Sequence, residues 1–277
     1  MKPLIEIPEA LVIAKQLKET IVNKRICDVI ANSSPHKFAW FYGDPIEYKP
    51  RLVGKTIKSV QVHGSRIDVN AEDIILDLCE GVNIRYTEKI SNIPKKHQLL
   101  IKFCDDTYLY CTIQMYGGIF AFEKGSFDNI YYKMAQEKPS PISNHFTLKY
   151  FLNLFNDVKQ TISTKAFIAT EQRIPGLGNG CLQDILFAAQ LHPKRKINTL
   201  TNVDKELLFK SIKSTIAKMT NLGGRDSEKD IFGEKGRYNV IMGRKNVNQA
   251  CPACGNIIKK ASYLGGSIYY CDSCQPL

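Results

Sequence analysis

Two Cys-x2-Cys pairs near the end of the chain, Cys251/Cys254 and Cys271/Cys274, restrict its folding more than any other feature. Each pair sets two thiolates on one tight turn, and two facing turns supply the four sulfurs that a tetrahedral Zn²⁺ takes. Between the pairs, Ile257, Ile258, Tyr263, Ile268 and Tyr269 read as two short strands, with Gly265-Gly266 at the turn. This pattern predicts a zinc-ribbon hairpin holding one structural ion. With four Cys ligands no coordination position is left open, so the metal holds the fold and does no chemistry. A unit this small has little core, and the metal would supply much of its folding free energy. Lys245, Lys259 and Lys260 beside a Gly-Gly tip suggest backbone that approaches phosphates. Two disulfides are the competing use of these thiols, but no apolar signal segment opens the sequence, and the chain is expected to remain in the cytosol.

The 277 residues suit two domains with the ribbon as an appendage. A formal charge of +11 points to an anionic partner, with nucleic acid preferred over an acidic membrane surface. No apolar run is long enough to span a bilayer. The remaining cysteines, Cys27, Cys79, Cys104, Cys111 and Cys181, are read as small core residues.

Pro8 to about Val22 predicts a helix: proline suits its first turn, Glu9 complements its positive end, and Ile13, Leu17 and Ile21 form an apolar stripe. From about Ile26 to Phe122 the pattern is short strands with Gly and Asp turns, predicting a β-sandwich. Ile74–Leu78 and Val82–Tyr86 are expected to pair as a hairpin, as are His97–Phe103 and Thr107–Tyr110. Lys95-Lys96-His97 is either a solvated turn or a phosphate contact. The prolines of Glu137-Lys138-Pro139-Ser140-Pro141-Ile142-Ser143 mark a linker. Helical segments follow, around Phe151–Phe155, from Thr164 to about Gln172, and from about Val203 to Thr220. Between the last two lies Ile174-Pro175-Gly176-Leu177-Gly178-Asn179-Gly180, where Asn179 is expected to cap the next helix and the helix N-terminus to bind an anion. The polar, Gly-rich stretch 221–248 reads as a functional loop, too polar for core.

A β-rich half, PGLGNG…ILFAAQLHP, a GRK element and a Cys-x2-Cys pair on each side of a hairpin, in this order, resemble the formamidopyrimidine-DNA glycosylase / endonuclease VIII family. The resemblance spans the whole chain and is most specific from Ile174 to Cys274. It implies an α+β multidomain fold: a β-sandwich with an N-terminal helix over residues 1–136, a linker at 137–143, a helix–two-turn–helix domain at 144–245 and a zinc finger at 246–277. It further implies a monomeric bacterial-type repair protein of the cytoplasm and nucleoid that binds damaged double-stranded DNA, flips the damaged nucleotide and excises an oxidised base, with abasic-site lyase activity. Asn179 and Gly178 would meet the flanking phosphates, with Lys95, Lys96, Arg244 and Lys245 also on DNA. The segment 221–240 would close over the everted base.

The family's chemistry begins at an N-terminal proline in Pro-Glu-Leu-Pro-Glu. Here Ile5-Glu6-Ile7-Pro8-Glu9 matches at Glu6, Pro8 and Glu9, but Ile5 stands at the proline position and four residues precede it. An amide nitrogen cannot be the amine nucleophile, which leaves the Met1 α-amine or Lys2 beside Glu6. The family lysine of the β half falls on Val62–Ser65, with Arg66 the nearest cation. The finger-tip arginine falls on Gly266, and the gap-filling Arg-Phe pair on Gly118-Ile119, with Met115 and Tyr116 as nearby wedges. Three expectations follow: a glycosylase; a relative that binds distorted DNA without chemistry; or an RNA-binding zinc ribbon, which the Gly-Asn-Gly turn disfavours.

Overall fold

The computed structural model describes residues 4–277. Helix α1 (Ile7–Ile21) opens the chain. Strands β1 (Ile26–Ala31) and β2 (Ala39–Phe41), the short helix α2 (Tyr48–Leu52) and strands β3 (Ile57–His63), β4 (Arg66–Ala71), β5 (Ile74–Cys79), β6 (Val82–Thr87), β7 (Leu99–Phe103), β8 (Tyr108–Ile113) and β9 (Gly117–Glu123) follow. Helices α3 (Ile130–Glu137), α4 (Leu148–Asn153), α5 (Thr164–Ala169), α6 (Asn179–Ala188) and α7 (Asn202–Asn221) come next, and β10 (Lys259–Tyr263) and β11 (Gly266–Tyr270) close the chain.

The sandwich stacks a four-stranded sheet, β1-β7-β8-β6, on a five-stranded sheet, β2-β9-β5-β4-β3. Strands β7 and β8 pair as expected. The hairpin expected between β5 and β6 does not form. Glu80 takes a left-handed conformation and Gly81 follows, which carries the chain from one sheet to the other. β5 therefore pairs with β4 and β9, while β6 pairs with β8. The amphipathic stripe of α1, with Ala10, Ile13, Ala14, Leu17 and Ile21, packs into the core between the sheets. A second core gathers Phe146, Phe151 and Phe167 with the inner faces of α6 and α7, and Ile7 at the start of α1 joins it. A third, small core of Met242, Ile258, Tyr269, Cys251 and Cys271 lies in the finger.

Residues 221–248 carry no regular helix or strand longer than a single turn, yet they are not the uniformly solvated loop that their polarity suggests. Ile231 is buried in the sandwich core, Tyr238 in the helical core and Met242 in the finger core. The Ile231 carbonyl accepts from the Tyr86 N–H at 2.8 Å, and Gln16 and Asp230 bond at 2.8 Å. The segment is thus a strap across three cores. Its apolar residues are too widely spaced to show a periodicity, because each enters a different core.

Cys79, Cys111 and Cys181 are buried, as expected of small core residues. Cys27 and Cys104 instead form a disulfide. They flank the Ile26↔Phe103 pair at the β1–β7 edge, where antiparallel pairing brings their Cα atoms to 5.0 Å. Among the described residues no helix is long and apolar enough to cross a membrane.

The outer face of the five-stranded sheet hides a charged cluster under α3. Asp68 and Asp77 are cross-strand partners in β4 and β5. Arg66 bonds Asp77, and the Tyr132 hydroxyl donates to Asp68 at 2.6 Å. Burial pushes the Asp77 carboxyl to about 7, with Arg66 pulling against it and Asp68 adding to the rise. A carboxyl raised on folding takes up a proton that the unfolded chain has released, so its contribution to stability falls as pH rises from the ordinary value of 3.8 to about 7. Asp77→Asn is expected to flatten the decline of the urea midpoint across that window. An unchanged slope would mean that the cluster does not titrate there.

Candidate nucleic-acid interface

The start of α1 meets the start of α6. Pro175 and Gly176 break the chain ahead of α6, and the Gly176 carbonyl accepts from the Ile7 N–H at 3.1 Å. Gly176 has φ +78, and an added Cβ would lie 2.2 Å from the Ser65 nitrogen, so no other residue fits between the two halves. The first turn of a helix has unpaired N–H groups that draw an anion. Here the anion is the chain's own Glu6. Its Oε2 accepts from the Gly178 and Cys181 N–H groups, each at 2.9 Å, and its Oε1 accepts from the Gly180 N–H at 2.7 Å. The anion expected at this helix start is thus met within the chain, and the Gly178 N–H is taken by Glu6. Asn179 is likewise not the cap. It is the first residue of α6, and Gly178 is the N-cap.

Arg225 completes the arrangement from the strap. Its Nη1 lies 3.2 Å from Glu6 Oε1, its Nη2 2.8 Å from Glu9 Oε2, and its Nε and backbone N–H both reach Glu9 Oε1 at 3.0 Å. Nη2 also donates to the Leu4 carbonyl at 3.1 Å. Glu6, Glu9 and Arg225 are all buried. Burial opposes the guanidinium charge, but the two carboxylates outweigh it and hold the Arg225 pKa above its ordinary value. Gly180 leaves the space: a Cβ there would fall 1.5 Å from Arg225 Nη1.

This knot forms one wall of a pocket of about 240 Å³ lined by Leu4, Glu6, Asn179, Gln183, Glu228 and Arg244, among others. Glu228 follows Arg225 by one short turn, and burial pushes its carboxyl to about 7, against the pull of Arg225. The finger closes the far side. Asn179 Nδ2 donates to the Ser267 carbonyl at 3.0 Å, Gln183 Nε2 to the same carbonyl at 3.2 Å, and the Tyr269 N–H to Gln183 Oε1 at 3.1 Å. Lys165 Nζ donates to the Tyr263 carbonyl at 2.7 Å. Arg244 and Lys245 are exposed at the rim, and Lys245 reaches Asp226 at 3.0 Å. Lys95 and Lys96 are exposed in the turn before β7 and do not line this pocket. Met1 and Lys2 lie outside the described residues.

Four sulfurs in the finger lie within 4.8 Å of one another. Cys251–Cys274 and Cys254–Cys271 are 3.8 Å and 3.4 Å apart. Zinc–thiolate bonds of about 2.3 Å give a tetrahedron edge of about 3.8 Å, so the donor set fits one metal ion.

Residues 138–230 match the Formamidopyrimidine-DNA glycosylase H2TH domain. The chain is 27% identical over 281 residues to the Formamidopyrimidine-DNA glycosylase of Cytobacillus firmus, covering 98% of itself and 99% of that protein. It is 26% identical over 280 residues to the Lactococcus lactis enzyme of the same name, covering 98% of each. Residues 138–230 thus carry the H2TH match, and the chain as a whole is similar to formamidopyrimidine-DNA glycosylases. Its fold superposes on the Lactococcus lactis Fpg in complex with an abasic site containing DNA with a TM-score of 0.85, at 23% identity, covering 98% of this chain and all of that one. The MutM (Fpg) protein from Thermus thermophilus gives 0.81 at 19% identity, covering 98% of each.

Arg225, Glu228 and Gln183 were not singled out from the sequence. Gly223-Gly224 ahead of Arg225 was the available signal, since such a turn lets a following side chain fold back under its own backbone. Arg225→Met is expected to lower stability by about 3–5 kcal/mol, because Glu6 and Glu9 remain buried without a cation. Urea unfolding measures it, and a loss below about 1 kcal/mol would show that the helix amides alone hold the carboxylates.

Proposed function

We propose that this protein belongs with the formamidopyrimidine-DNA glycosylases and is a DNA-repair glycosylase that binds damaged duplex DNA across the cleft, rotates the damaged nucleotide into the pocket and releases its base. The observation that carries this reading is the placement of Glu6. The family-matched carboxylate is fixed by three helix N–H groups and Arg225 on the wall of a nucleotide-sized pocket between the two halves. The net charge of +11 favours the phosphate backbone, and a lesion that pairs poorly makes eversion less costly. Asn179 and Arg244 then lie where the flanking phosphates pass. In the finger, thiolate ligands and tetrahedral spacing support Zn²⁺ as the metal, in a structural role.

In the proposed reaction the Met1 α-amine or the Lys2 amine attacks the sugar C1′. The nitrogen–C1′ bond forms as the bond from C1′ to the base breaks. The electron pair leaves with the base, which takes up a proton. The nitrogen, now an ammonium, gives up a proton, and its freed lone pair then expels the ring oxygen, which takes up a proton, leaving a protonated Schiff base on the opened sugar. Glu6 stands beside this centre, and Glu228, pushed to about 7, can give or take a proton at neutral pH. Borohydride with abasic-site duplex is expected to trap a covalent adduct. Acetylating the α-amine abolishes it if Met1 is the nucleophile and spares it if Lys2 is. One observation favours the second reading, a binder without chemistry: Ile5 puts an amide where the family has its amine. No adduct, with no base released from duplexes bearing oxidised bases, would establish that reading.

Removal of zinc tests the finger separately. Asn179 and Gln183 are held by the Ser267 carbonyl, so unfolding the hairpin releases the turn as well. Chelation is expected to weaken duplex binding at least tenfold while the sandwich and helices keep their circular dichroism. Unchanged affinity after verified metal loss would remove the finger from the interface.

A further inference from the structure

The end of the β1–β2 loop and the start of β2 read Pro35-His36-Lys37-Phe38-Ala39-Trp40, and the function described above makes no use of them. It places large aromatic groups in solvent: Phe38 is 48% exposed and Trp40 45%. Trp40 is the one tryptophan of the chain. Its ring leans on Tyr116, with centroids 5.8 Å apart and planes 35° apart. Lys37 Nζ sits 5.4 Å over the Phe38 ring, and the His36 ring meets Phe38 edge-on at 6.4 Å.

The backbone holds this group in place. β2 pairs in parallel with β9, with Trp40 opposite Gly118, and the Gly117 N–H donates to the Phe38 carbonyl at 3.0 Å. The backbone next to Tyr116 is therefore tied to the loop. On its other side, the Tyr116 backbone approaches Leu4. Its carbonyl lies 2.1 Å from where a Gly81 Cβ would stand, and the Leu4 side chain 3.1 Å from the same point. Leu4 also lines the pocket. The aromatic pair thus stands one residue, Leu4, away from the pocket, with Lys37 and His36 at its outer end.

We propose that Trp40, backed by Tyr116, is a stacking platform for an unpaired nucleobase at the lesion, and that Lys37 binds the phosphate beside it. The argument rests on the cleft being the DNA site. A strand whose neighbour has been everted offers a base with an open face, and a flat aromatic surface takes any base by stacking. An apolar protein partner fits less well, because Lys37 and His36 border the rings on a chain of net charge +11. Among the described residues Phe38 and Trp40 stay about half exposed, in keeping with an occupant that arrives only with the ligand.

The single tryptophan makes the test direct. A duplex carrying a tetrahydrofuran abasic analogue is titrated into the full-length protein, with binding followed by anisotropy of a labelled strand and Trp40 by its own emission. The expected result is quenching at saturation, reduced acrylamide access to Trp40, and about tenfold weaker binding for Trp40→Ala that Trp40→Phe restores. Lys37→Ala is expected to weaken binding and lower the salt slope. Tight binding with unchanged emission and unchanged affinity for Trp40→Ala would overturn the platform and leave the DNA-binding reading standing. Failure of the wild-type protein to bind the duplex at low salt would overturn both. Circular dichroism separates either result from unfolding, which an exposed residue such as Trp40 is not expected to cause.

Discussion

Glu6 holds the molecule together at the point where it is expected to act. One carboxylate accepts from three N–H groups at the start of α6 and from Arg225 of the strap, while its own backbone N–H donates to Glu9 Oε2 at 3.2 Å. Four donors on one buried anion offset the desolvation that would otherwise forbid it. Its partners come from the sandwich side, the helical half and the strap, so the relative position of these units is set by electrostatics as much as by apolar contact. An anion fixed in this way does not drift when a ligand enters, which a catalytic or recognition group requires.

The strap follows from the same requirement. Arg225 can sit between two carboxylates only if the backbone around it is held, and Ile231, Tyr238 and Met242 provide three separate anchors on either side of the pocket. In the neighbouring stretch, Asp184 of α6 accepts from the Ile241 and Met242 N–H groups at 3.0 and 2.7 Å. A segment of high polarity thus gains order from a few apolar side chains and many backbone bonds. Residues that look solvated in sequence line the pocket.

The finger is an integral wall of this site. Its carbonyls, those of Tyr263 and Ser267, take the side chains of Lys165, Asn179 and Gln183, so a metal-held hairpin fixes residues of the helical half at the pocket. Opposite it, Tyr116 and Trp40 extend the sandwich side toward solvent.

The sequence by itself determined the elements whose signal is local. The thiol spacing of the finger, the apolar stripe of α1, the alternation of the sandwich strands and the Pro-Gly break before α6 each depend on neighbours a few residues apart. The match at Glu6, Pro8 and Glu9 marked the carboxylate but not its partners. Tertiary structure alone decided that β5 and β6 part into different sheets, that Cys27 and Cys104 bridge an edge, and that the first-turn N–H groups of α6 are used internally. Those outcomes turn on groups far apart in the chain, 172 residues in the case of Glu6 and Gly178. A spacing pattern records which side chains share a face. It does not record which distant anion reaches an unpaired helix end first, because that depends on how the folded halves meet.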